Sequence, residues 1–108
     1  MVGYAERLLE IKRKFLGEID GRMDAIDRLL DDPDAAGARQ DLHLRIHDVT
    51  GSAAMLGYDD ISREARAGIV ELKKLGDETT PMPADCIAAL RALAARIREL
   101  KTIHEDAL

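Results

Sequence analysis

Residues 42–57 read Leu-His-Leu-Arg-Ile-His-Asp-Val-Thr-Gly-Ser-Ala-Ala-Met-Leu-Gly. On a helical wheel at about 100° per residue, Ile46, Val49, Ala53 and Leu56 fall within about 40° of Leu42. On the same wheel His47 lies near ~140°, and Gly51, Ala54 and Tyr58 lie within roughly 40° of His47. The stretch therefore predicts a helix with one apolar face and a histidine turned to solvent. Exposed helix faces are normally covered by Lys, Glu, Arg or Gln, whose stems pack along the surface and favour the helix. Here the positions one and two turns beyond the histidine are Gly51 and Ala54. Glycine weakens a helix, so a flat shoulder beside the ring makes sense where another protein's backbone must come close.

Outward from this stretch the same periodicity continues. Leu8, Ile11, Phe15, Ile19, Met23, Ile26 and Leu30 recur every three or four residues and predict a long first helix ending at Pro33 and Gly37. Gly17 and Gly21 leave room for a break between Lys14 and Gly21 that would set off a short extra N-terminal helix. Asp34 is a suitable N-cap for the second helix, which stops at Gly57. The third opens near Asp59 or Asp60, carries Ile61, Ala65, Ile69, Leu72 and Leu75, and ends at Gly76, a residue suited to the left-handed position after a helix. Pro83 fits the first turn of the fourth, whose stripe is Cys86, Leu90, Leu93, Ile97 and Leu100. No segment alternates with period two, so no strand is expected. Four amphipathic helices on short connections predict an all-α, antiparallel up-down-up-down four-helix bundle.

The 108 residues suit one domain over 1–108, and 46% hydrophobic with 34% charged residues exclude a disordered or fibrous chain. A net charge of −5 without a basic cluster argues against nucleic acid and acidic membranes as partners. The N-terminal residues turn charged at once, so no signal peptide or membrane span is read there and a cytoplasmic location is expected. The single cysteine, Cys86, lies on an apolar stripe and reads as a buried thiol. His104, near the C-terminus, reads as a solvated or helix-ending residue.

His47, Val49, Gly51, Ser52, Ala53, Leu56 and Gly57 match in spacing the signature H-x-apolar-K-G-small-small-x-x-apolar-G, and the chain resembles the histidine-containing phosphotransfer (HPt) domains. The resemblance spans the whole chain. It implies a phosphoryl carrier, not a self-sufficient enzyme, that accepts phosphate on His47 and exchanges it with a receiver-domain aspartate in a phosphorelay fed by a hybrid histidine kinase. It implies no cofactor of the chain's own, with the divalent ion on the receiver partner. The expected partner surface is His43, Leu44, Thr50, Gly51, Ala54, Met55 and Tyr58, with a contribution from the first helix. Thr50 stands where the family usually has lysine, so positive charge near the phosphoryl group would come from elsewhere, with Arg63 and Arg66 of the third helix as candidates. Neutral imidazole offers a nitrogen lone pair to a phosphoryl donor without a local base. Two other readings compete. A degenerate module would bind a receiver or kinase as adaptor or inhibitor without carrying phosphate, and a metal-binding bundle would use His43 and His47, one turn apart but only two ligands.

Overall fold

The computed structural model describes residues 3–108. Four helices follow in order: α1 (Tyr4–Asp31), α2 (Ala38–Met55), α3 (Asp59–Lys73) and α4 (Ala84–Asp106). No strand occurs among the described residues. Each helix packs on its neighbours in sequence, and α1 and α4 close the ring. The ion pairs between these two run in opposite numerical order: Asp20–Lys101 at 3.0 Å, Asp24–Arg98 at 2.6 Å, Asp31–Arg91 at 2.7 Å. Antiparallel neighbours give that order. Partly exposed pairs contribute little each, so this ladder sets orientation more than stability.

The stability comes from the apolar faces. Leu16, Ile19, Met23 and Ile26 of α1 meet Leu42, Ile46 and Val49 of α2, Ile61 and Ala65 of α3, and Leu90 and Ile97 of α4 in one core. Fully burying such side chains is worth about 1.5–3 kcal/mol each. Cys86 is buried among them, and burial raises its thiol pKa. Gly68 lets three helices approach closely, because a Cβ there would lie 2.9 Å from Leu93 Cδ1 and 3.4 Å from Ile46.

Several boundaries differ from the sequence expectations. α1 is one continuous helix, without a separate N-terminal piece. A Cβ at Gly17 or Gly21 would meet nothing, so these glycines sit on an open face and long-range packing of α1 carries the helix through them. Ile11 is 54% exposed instead of buried, because it lies about 100° from Lys12, which falls on the line of Leu16, Ile19 and Met23, and so stands at the edge of the buried face of α1. α2 begins after Gly37, whose φ of 79° is left-handed, and not at Asp34. Asp34 instead accepts a 2.8 Å hydrogen bond from the Met82 N–H, tying the α1–α2 connection to the α3–α4 loop. Arg39 adds to that tie by donating to the carbonyls of Asp77 and Thr80. α3 stops at Lys73, and Gly76 lies beyond it without a left-handed φ.

Replacing Gly68 by valine should therefore destabilise the protein by about 1–3 kcal/mol through overpacking. Gly17→Ala should stabilise it by roughly 0.5–1 kcal/mol. Urea unfolding of the two variants beside the parent tests both signs.

Candidate functional site

α2 presents its histidine as a consequence of its buried face. Leu42, Ile46, Val49 and Ala53 are each at most 1% exposed, which fixes the rotation of the helix about its axis. His47 follows Ile46 directly, is turned about 100° from it, and is exposed. One turn back its ring stacks on His43, with centroids 6.3 Å apart and planes 16° from parallel. One turn ahead Gly51 is exposed, and a Cβ there would meet nothing within 4 Å. Ala54 is exposed as well, while Leu44 and Met55 are apolar and 54% and 82% exposed. His43, Leu44, His47, Gly51, Ala54 and Met55 thus lie on the solvent side of α2, with His43 half-buried.

Thr50 sits at the edge of that face. It is half-buried, and its hydroxyl donates a 2.9 Å hydrogen bond to the Ile46 carbonyl one turn back in the same helix. Its own carbonyl accepts a 3.0 Å bond from the Ser62 hydroxyl of α3. The Thr50 hydroxyl is therefore committed to the helix, not to the imidazole face.

Tyr58 does not join the exposed face. The wheel that placed it there assumed an uninterrupted helix, whereas α2 ends in a tight reversal. The Gly57 N–H bonds the Ala54 carbonyl at 3.1 Å and the Tyr58 N–H bonds the Ala53 carbonyl at 2.9 Å, with Gly57 at φ 83°. This pairing is the Schellman motif, and it folds the residue after glycine back onto the helix end. Tyr58 is only 7% exposed, stacks on Phe15 at 6.0 Å and tilts against the His104 ring at 4.5 Å. Burial raises its phenol pKa.

His104 stands in the last turn of α4, as the helix-ending reading has it, but it is not a free surface residue. Its Nε2 lies 2.9 Å from both carboxylate oxygens of Asp60, joining the end of α4 to the start of α3. Partial burial works to raise the Asp60 pKa, but the His104 hydrogen bond and charge and the Ile61 N–H outweigh it, and the net direction is down. Sequence reasoning missed this contact because it joins residues 44 apart whose register no local pattern specifies. It also missed a groove of about 510 Å³ beside the α2 face, where Tyr4, Leu8 and Ile11 of α1 meet Met55 and Leu56. Leu8 and Ile11 are its visible signal in the sequence, where they read as part of the buried stripe of the first helix, while Tyr4 lies outside that stripe.

Among the described residues no three His, Cys, Asp or Glu side chains gather as a metal ion would require. The site consists of one exposed imidazole on a helix held by its buried face, flanked by small residues and bordered by apolar ones. The family model of the Hpt domain matches residues 10–101. The chain belongs to the Hpt domain family. Comparison with curated proteins and with solved structures finds no match. Hpt domains are histidine-containing modules of phosphotransfer and act as phosphocarriers that interact with receiver domains and kinases. No described helix is long and apolar enough to cross a membrane.

The Asp60–His104 contact gives a pH prediction. A carboxyl whose folded pKa is depressed adds stability above its unfolded pKa and loses it as pH falls through the folded value. Asp60→Asn should cost about 1 kcal/mol at neutral pH, solvent screening included, and the gap to the parent should narrow as pH falls below about 4. Thermal unfolding at pH 7 and pH 3 measures both.

Proposed function

We propose that this chain is a cytoplasmic phosphoryl carrier of a multistep phosphorelay, with His47 as the acceptor and a receiver-domain aspartate as its exchange partner. The observation that carries this reading is the exposed His47 ring with open space over Gly51 one turn ahead. In-line displacement at phosphorus needs the donor carboxylate and the imidazole nitrogen on opposite sides of the phosphoryl group. That requires two protein surfaces to close to within a few ångströms of the ring. A long side chain at position 51 would stand in the way.

In the forward step an imidazole nitrogen lone pair forms the N–P bond while the acyl P–O bond breaks, and the electron pair leaves on the receiver's carboxylate. In the reverse step a carboxylate oxygen attacks phosphorus and the N–P electron pair returns to the ring. The transfer is thus reversible, and its direction follows the relative stabilities of the two phosphorylated partners. The divalent ion belongs to the receiver in this reading, and the present chain contributes the nucleophile and its placement. Leu44 and Met55 supply the apolar contact, with Gly51 and Ala54 as the flat ground between. The groove lined by Tyr4, Leu8 and Ile11 extends that surface onto α1. His43, stacked on the acceptor, borders the approach.

A second reading, an adaptor that binds a receiver without carrying phosphate, draws on the Thr50 hydroxyl being committed to the Ile46 carbonyl. The two separate cleanly. Incubation with a phosphorylated receiver should label the parent with acid-labile, base-stable phosphate, and His47→Gln should carry no label while keeping its helical spectrum. Gly51→Gln should retain the fold and slow transfer by at least about tenfold by blocking close approach. Label persisting in His47→Gln removes the acceptor assignment, and binding without any labelling of the parent favours the adaptor.

A further inference from the structure

A phosphoryl group on an imidazole adds roughly two negative charges at the helix surface, and a nearby cation stabilises it more than a neutral hydroxyl does. The neighbouring cation of α2, and the α1 cation that lines a cleft with Arg45 and Asp48, are committed. Arg45 is paired with Asp41 at 3.0 Å and Arg22 with Glu18 at 3.3 Å. Asp48, next to the histidine, is exposed and adds negative charge. The Thr50 hydroxyl bonds its own helix.

The register of α3 against α2 points to a different group. The Ser62 hydroxyl bonds the Thr50 carbonyl at 3.0 Å, which fixes the level of the two antiparallel helices. His47 lies one turn back from Thr50, and Arg66 lies one turn on from Ser62. The two steps run the same way along the bundle, so Arg66 and His47 come level. The approach of Ile46 to Gly68, at 3.4 Å from a Cβ placed there, sets the same register independently. Residues four apart share a helix face, so Arg66 stands on the side of α3 that Ser62 turns toward α2. Arg63, one residue after Ser62, is rotated about 100° off that side. Arg66 is exposed and, among the described residues, has no ion-pair partner.

From this placement we infer that Arg66 of α3 is the phosphoryl-binding cation of the site, its guanidinium holding the phosphoryl oxygens on His47 from the neighbouring helix. Guanidinium suits the task because its planar fork of donors matches phosphate oxygens. The inference rests on the carrier reading above. It adds a site residue outside α2 and makes the α2–α3 hairpin the chemical unit.

The test uses the full chain and phosphoramidate, a small donor that needs no partner protein. Its P–N bond breaks and ammonia leaves with the electron pair as an imidazole nitrogen bonds phosphorus. The readout is the rate of phosphohistidine formation, followed by ³¹P NMR. Arg66→Gln should slow it about fivefold to tenfold. Arg66→Lys should stay within about threefold of the parent, keeping the charge but losing the fork. Arg63→Gln should leave the rate unchanged. Adding Thr50→Lys to Arg66→Gln should restore it, since that lysine offers a cation one turn from His47, and a purely structural role of Arg66 would not be rescued this way. An Arg66→Gln rate equal to the parent's, or no recovery with Thr50→Lys, overturns the inference while the carrier reading stands. No phosphohistidine in the parent, or as much in His47→Gln, overturns both.

Discussion

The contact between Ile46 and the backbone of α3 at Gly68 governs the geometry of the site. Ile46 is 1% exposed, and the missing side chain at Gly68 lets it seat where three helices meet. Rotation of α2 about its axis is fixed by this contact together with the burial of Leu42, Val49 and Ala53. With Ile46 held inward, the next residue is carried out to solvent by the helical pitch alone. The exposure of His47 is thus a consequence of core packing and needs no special local conformation. A core contact on one side of α2 presents a reactive ring on the other.

The two ends of the bundle are built differently. At one end Asp34 and Arg39 bind the α3–α4 loop through backbone groups, closing the connections onto each other. At the other the Schellman turn at Gly57 brings Tyr58 under Phe15 and against His104, and His104 in turn holds Asp60. This second end lies just past the exposed face of α2, so Met55 and the α1 groove rest on a firm base. A docking surface needs such a base, because ordering loose side chains on binding costs affinity.

Much of this was legible in residue spacing. The apolar positions of α2 named its buried face, and the histidine between them followed with its direction. Four stripes gave four helices, and Gly57 correctly marked the end of the second. What escaped were features set by register between distant segments, such as Asp60 with His104 and Asp34 with Met82. Periodicity names an apolar stripe but not where its edge meets solvent, so Ile11 reads as core although it borders an open groove. Tyr58 was misplaced for a related reason: a wheel has no knowledge of where the helix stops, although the glycine before Tyr58 carried that information.

The central claim is that one ring of three, His47, accepts the phosphoryl group without disturbance of the bundle. Imidazole nitrogen spectra of the ¹⁵N-histidine-labelled chain, taken before and after exposure to a phosphorylated receiver, test it most directly. The account predicts a large displacement of the His47 nitrogens, a small one for His43 stacked beside it, and none for His104. Displacement centred on His43 or His104, or no displaced ring at all, would contradict it.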